Sequence, residues 1–234
     1  MEVENAIRTR RTIKAFDAEP VDRETLEELL ELARWAPNHH LTNPWRFRVV
    51  GPRALDALKA AAAELARATA PAGADVDELG RVAAAKLERA PTLVVVSAKH
   101  SADPVQDEED AHATACAAYN VLLGAHARGL AGYWRTPGVL RTEAGAGAVG
   151  LPGDERFVGM LYLGRARQTA EAPERAALGE YATFLENHAK GSPISRSLSN
   201  LHAIPAPVTN LVVTSPPASS VRPSLRESLR SIRA

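Results

Sequence analysis

Apolar positions recur at helical spacing from Leu26 onward: Leu26, Leu29, Leu30 and Ala33 form one stripe, while Glu27, Glu28, Glu31 and Arg34 face the other way. Asp22 is suited to cap this helix and Glu24 to sit in its positive first turn. Pro37 is expected to end it. Trp45, Phe47 and Val49 then alternate with Arg46 and Arg48 at period two, which predicts a half-buried strand over 45–50. Gly51-Pro52 turns the chain into a helix that runs to about Ala70, is broken at 71–73 and is followed by another over 76–89. The run Thr92-Leu93-Val94-Val95-Val96-Ser97-Ala98 is apolar on both faces and β-branched, so it predicts a central strand covered on both sides. A polar loop is expected over 99–110. The helix expected over 111–128 is built largely from Ala111, Ala113, Ala115, Ala117, Ala118 and Gly124. Side chains that small admit a second helix at close range, and Cys116 among them suggests a small core residue. Gly129 is placed to end that helix in the left-handed conformation. A last strand is expected over 157–163, and a short first helix over 3–8.

Two stretches do not serve a core. Asn38, His39, His40, Thr42 and Asn43 lie between Pro37 and Pro44, which restrict the residues before them and should stiffen the loop. Arg8, Arg10, Arg11 and Lys14 place four cations within seven residues, with Thr9 and Thr12 among them and with Ile13 and Phe16 as core anchors. Forked guanidinium donors and hydroxyls suit a phosphate group. Gly132-Tyr133-Trp134-Arg135-Thr136-Pro137 adds two aromatics, a guanidinium and a hydroxyl, a mixture that suits either a flat, partly polar ligand or an aromatic strand end in the core. Asp107-Glu108-Glu109-Asp110 are consecutive, a spacing that rarely aims carboxylates at one metal ion and agrees better with a charged helix start. His39 and His40 match no zinc spacing.

Composition narrows the class. The 234 residues are 45% hydrophobic, enough for a sizeable core, and carry no net charge, so nothing global points to nucleic acid or an acidic membrane. Residues 187–234 hold six basic side chains, one acid, ten Ser and six Pro, leaving 22 basic and 27 acidic residues in the body. Two regions follow: a domain over 1–186 and a Ser/Pro-rich basic extension over 187–234 expected to lack fixed structure. A single cysteine fits a reducing compartment. The start of the chain has no signal-peptide pattern and no apolar run reaches the length of a membrane span, so a cytoplasmic protein is expected.

The segments Arg10-Arg11-Thr12-Ile13-Lys14-Ala15-Phe16-Asp17, Ala36-Pro37-Asn38-His39 with Asn43-Pro44-Trp45-Arg46-Phe47, and Gly132-Tyr133-Trp134-Arg135-Thr136 occur in this order at ordinary spacing. Together they resemble the nitroreductase family of FMN-dependent oxidoreductases, most of all its short members of the YdjA type. The resemblance covers residues 1 to about 186. It implies an α+β fold in three layers, with a central, mostly antiparallel sheet flanked by helices, paired into an intertwined homodimer that holds two FMN molecules at its interface. On matching positions, Arg10, Arg11 and Thr12 would hold the phosphate and ribityl chain, and Lys14 would lie near the pyrimidine edge. His39, with Asn38 beside it, would reach the flavin bound mainly by the other subunit. Trp134, Arg135 and Thr136 would line the ring and its polar edge.

Trp35 stands where the short members usually carry an arginine that contacts the cofactor, with Arg34 as a neighbouring substitute. Arg165 and Arg167 are candidates for the late basic residue that longer members place on the phosphate. The implied activity is ping-pong transfer of electrons from NAD(P)H to a nitroaromatic, quinone or activated enone, with His39 and His40 as candidate proton donors and no metal. Dehalogenation, flavin fragmentation and non-catalytic flavin binding are the alternatives.

Overall fold

The structure is a computed structural model that describes residues 1–185. Its contacts divide the chain into two units, Met1–Arg175 and Ala176–Ala234. Within the second, the described residues contain one short 3-10 turn, Leu178–Glu180. The extension expected over 187–234 lies outside the described residues.

The first unit is organised on four strands: β1 (Trp45–Val49), β2 (Thr92–Lys99), β3 (Ala131–Arg135) and β4 (Glu155–Gly164). They lie in the order β1-β2-β4-β3, and every neighbouring pair is antiparallel. Alternation along the inner strands builds two cores. Val94, Val96, Leu161 and Leu163 face one side, where α2 (Arg23–Ala33) and α5 (Pro104–Ala127) cover them. Leu93, Val95, Met160 and Tyr162 face the other, against α3 (Pro52–Ala68), the segment that follows α4 (Val76–Ala85), and the Val139–Leu140 turn. This gives the three-layer α+β arrangement. It also explains why residues 92–98 carry no polar alternation: both faces of β2 are covered.

Local chemistry sets the helix starts. Asp22 accepts from the Thr25 amide at 2.8 Å, and Asp75 from the amides of Asp77 and Glu78, satisfying donors that have no partner within the helix. Asp103 does the same for Val105, with Pro104 at the first helical position. That cap corrects the expected loop over 99–110: α5 begins seven residues earlier than position 111. Of its carboxylates, Asp107 is engaged with His100, Arg156 and the Ser101 amide. The small residues of α5 do admit a second helix. A side chain at Gly124 would stand 2.4 Å from Leu32 Cδ1 on α2.

Cys116 is the other correction. Ala113, Ala117, Ala118 and Val121 turn inward from α5, so Cys116 sits on the opposite face and is exposed. α2 finishes at Ala33 and tapers through i to i+3 bonds as far as Ala36, ahead of Pro37. The short helix α6 (Glu143–Ala148) was not foreseen. A half-buried pair locks the sheet: Arg48 on β1 donates twice to Glu155 on β4, at 2.7 and 2.8 Å, and once to Ser97 on β2.

Candidate functional site

The loop after α2 is closed by one side chain. Asn38 Oδ1 accepts from the Asn43 amide at 2.7 Å, and its Nδ2 donates to Thr42 Oγ1 at 3.0 Å. Within that ring His40, Leu41 and Asn43 all have positive φ, at 58°, 51° and 49°. Left-handed backbone costs a side-chain-bearing residue about 1–2 kcal/mol, and such strain is concentrated at functional sites. The loop is fastened to the N-terminal end of α5. Thr42 donates to the buried Asp110 at 2.5 Å, and His39 Nδ1 pairs with Glu109 Oε2 at 2.8 Å. The His39 and His40 rings stack at 3.8 Å. Trp35, at the entrance of the loop, is 79% exposed, an unusual position for an indole. Arg34 is taken up by Glu31.

The basic segment lies at the other end of α5. After α1 (Val3–Thr9) the chain passes the last turns of α5 and rounds the edge of the sheet, pinned by buried Ile13 and Phe16. The Arg10 guanidinium sits 5.9 Å from the Tyr119 ring. Its Nε is buried and has no hydrogen-bond partner among the described residues. An unpaired buried guanidinium donor is costly, and a bound anion is the simplest remedy. Arg11 donates through Nη1 to the carbonyls of Arg8 and Arg10. Lys14 is exposed, and Thr12 is exposed and bridges Gly132 in parallel. The backbone of Arg165 and Arg167 runs beside Asp17 and Ala15. His126 completes the corner, with Nε2 2.8 Å from Thr9 Oγ1. Burial, and then the charges of Arg10 and Arg11, hold this imidazole below its ordinary range.

β3 connects the corner to a cleft. It is an edge strand, and beyond Gly132 its outer edge has no backbone partner among the described residues. Trp134 faces the α5 side, while Arg135 points to the opposite face. There Arg135 donates to the Lys86 carbonyl and to Tyr162 Oη, each at 3.3 Å. Arg135 and Lys86 line a cleft of about 200 Å³ with Leu65, Thr69, Leu87 and Val139. Thr136 is exposed at the end of the strand.

Within one chain, then, Arg10, Arg11, Thr12 and Lys14 cluster near the start of β3, and Trp134, Arg135 and Thr136 continue along that strand. Asn38 and His39 do not join them. Glu109 and His126 are 17 residues apart on one helix, about 25 Å at 1.5 Å per residue.

The sequence profile of the nitroreductase family matches residues 7–165. The chain belongs to that family. Two provisionally named NAD(P)H nitroreductases are among its relatives. YfhC of Bacillus subtilis is 28% identical over 187 residues, covering 76% of this chain and 91% of YfhC. YdjA of Escherichia coli is 29% identical over 149 residues, covering 63% and 79%. The crystal structure of a nitroreductase-like protein from Bacillus cereus has a TM-score of 0.69 at 27% identity, over 80% of this chain and 97% of that one. An FMN- and NADPH-dependent nitroreductase, NfnB from a Sphingopyxis strain, shares the fold, with a TM-score of 0.64 at 21% identity over 80% of this chain and all of that one.

For this nitroreductase-family chain, sequence reasoning did not assign to the candidate site four residues that contact its members: Tyr119, His126, Lys86 and Asp110. Polar and aromatic positions inside the Ala-rich stretch 111–128 were the available signal for the first two. Lys86 gave none, and Asp110 stood out only within the carboxylate run 107–110, because only the packing of α4 and of the loop reveals what they meet.

Proposed function

We propose that the protein is an NAD(P)H-dependent oxidoreductase that holds FMN and works as a homodimer in which each site takes residues from both chains. The observation that carries the cofactor assignment is the buried Nε of Arg10, without a partner among the described residues, in a corner where Arg11, Thr12 and Lys14 supply further donors. The residues present fit a phosphate monoester. Arg10 and Arg11 would bind it, and the unpaired edge of β3 runs from there toward Arg135, offering main-chain groups to a flat heterocycle. Bound flavin would supply the redox chemistry between reduced nicotinamide and an electron-poor acceptor such as a nitroaromatic, quinone or activated enone. Lys14 and Arg135 are the cations available to stabilise negative charge that develops at the polar edge of such a ring. Trp134 and Thr136 orient it. Trp35, exposed on the loop side, offers an aromatic face where a basic contact is usual.

The shared-site reading is supported by the roughly 25 Å that separates Glu109 from His126 along α5. A second chain whose α5 runs antiparallel to the first would bring its His39 and Asn38 to the first chain's Arg10 corner. The outer face of α5 suits that role. Apolar character is spread around the helix, and Val105 and Cys116 are exposed on it. The Glu109 carboxylate fixes the His39 ring through Nδ1 and leaves Nε2 to donate or accept toward a substrate.

Flavin titration tests the assignment. FMN should bind, and Arg10→Ala should weaken it ten-fold or more, since a charge-assisted contact contributes about 1.5–3 kcal/mol. Unchanged affinity would remove Arg10 from the site. Anaerobic bleaching of the bound flavin by NAD(P)H separates an enzyme from a flavin-binding protein. Sedimentation across a dilution series tests the dimer, and a monomer saturated with FMN would refute the shared site.

A further inference from the structure

The flavin reading leaves one titratable group of the basic corner without a role. His126 lies in the last turn of α5 and contacts Thr9, on the element that leads into Arg10 and Arg11. Its tautomer follows from the hydrogen bonds. Thr9 Oγ1 lies 2.6 Å from the Asn5 carbonyl, which can only accept, so the hydroxyl proton is used there. The same oxygen therefore accepts from His126. Nε2 carries the proton in the neutral ring, and Nδ1 is the atom that titrates.

We propose that His126 is a proton-coupled member of the phosphate corner: it is neutral while the corner is empty, gains a proton at Nδ1 when a phosphate dianion is held by Arg10 and Arg11, and so makes FMN binding take up a proton. The inference rests on the flavin reading and adds to it a positioning residue that distinguishes FMN from its phosphate-free counterpart.

The electrostatics give the sign. Burial, Arg10 and Arg11 disfavour the imidazolium in the free protein. On its own helix, the C-terminal carbonyls favour a cation. Tyr119, two turns back, faces Arg10, and Arg128 is drawn away by Glu28 of α2. On α1, Arg8 is paired with Glu4 on the exposed side. Arg10 and Arg11 thus supply the repulsion. A dianion held by those two guanidiniums would offset the repulsion and add attraction, and an opposite charge within about 4–6 Å raises the pKa of a cationic group by about one to three units. Uptake occurs between the lowered value of the free protein and the raised value of the complex. FMN affinity therefore rises as pH falls through that window, until the monoester itself takes a proton near about pH 6.

The test uses the full chain and two readouts other than turnover. Ring-proton NMR of FMN-free and FMN-loaded protein follows the His126 signal, assigned among the seven imidazoles by its loss in His126→Gln. Glutamine keeps a donor for Thr9 but cannot titrate. The midpoint should rise by about one unit or more on loading. Calorimetry in two buffers of different ionisation heat at pH 7 should show proton uptake with FMN and none with riboflavin. This comparison needs only wild-type protein. A monoester bound as the dianion can only release protons, so uptake has to come from a protein group. Bound FMN with an unmoved His126 midpoint, or with equal proton counts for FMN and riboflavin, overturns the inference and leaves the flavin reading intact. A protein that binds no FMN overturns both.

Discussion

Gly159→Ala tests the position of the indole expected to line the cofactor. Gly159 sits within β4, opposite Val96 of β2 and one residue beyond the last β3 pair, Arg135 with Met160. A β-carbon added there would stand 1.9 Å from Trp134 Nε1 and 2.7 Å from Cδ1 and Cε2. Ordinary carbon contacts begin near about 3.5 Å, so the indole has to retreat by roughly 1.5 Å. Trp134 packs against the core under α5 and has few rotamers to escape into. Overpacking of this kind costs about 1–3 kcal/mol. Alanine recovers about 0.5–1 kcal/mol, because it loses less backbone freedom on folding than glycine. The net expectation is a loss of about 1–2 kcal/mol, a fall in Tm of roughly 3–6 °C for a domain of this size. Chemical denaturation followed by tryptophan emission measures it, with FMN titration alongside. Emission should shift and FMN affinity should drop, since the displaced ring enters the space beside β3. An alanine variant with wild-type midpoint, emission and FMN affinity would refute the argument and take Trp134 out of the site.

Glu155→Gln should destabilise the sheet by about 2–4 kcal/mol, because it leaves Arg48 half-buried without its carboxylate. Burial raises the Glu155 pKa, but hydrogen bonds from Arg48 and Ser97 and the Arg48 charge outweigh it, so the folded value lies below the usual carboxylate range. That stabilisation is complete above the unfolded value and is lost as pH falls through the folded one. The variant should lack this acid-side loss in denaturation curves between about pH 5 and pH 2, and an unchanged pH profile would contradict the pairing. Asn38→Ala opens the ring that holds three left-handed residues, so limited proteolysis within 38–43 should accelerate markedly while the global midpoint moves by only about 1–2 kcal/mol. Equal cleavage rates would show that the loop does not depend on Asn38. In the proposed dimer Cys116, seven residues from Glu109 and ten from His126, lies within about one helical turn of its counterpart, so mild oxidation should give a disulfide-linked dimer on a non-reducing gel. FMN-loaded protein that sediments as a dimer yet never cross-links through Cys116 would refute the antiparallel pairing of α5.

The sequence by itself determined the elements whose signals are local. The Leu26–Ala33 stripe behind Asp22, the alternation at Trp45–Val49, the two-faced apolar run at 92–98 and the stop at Gly129 each depend on neighbours within one turn or one strand. The three segments that carry the family resemblance were legible for the same reason, since each is contiguous, although Ile13, Phe16 and Tyr133 within them serve the core. The start of α5 was within reach as well: Asp103-Pro104 repeats the cap and first-turn pattern found elsewhere in the chain, but the polar residues after it outweighed the signal. What only the tertiary structure decided is which groups meet. Cys116 was assigned inward because small residues surround it in sequence, yet helical geometry turns it away from α2 and the sheet. The partners of Arg135, Lys86 and Tyr162, are 49 and 27 positions away. The partnerless Nε of Arg10, the contact of His126 with Thr9, and the grip of Glu109 and Asp110 on the strained loop are likewise products of packing. Periodicity records which way a side chain faces on its own element. Charge, burial and hydrogen bonding at a site depend on elements brought together from distant parts of the chain, and that information exists only once the sheet and α5 have assembled.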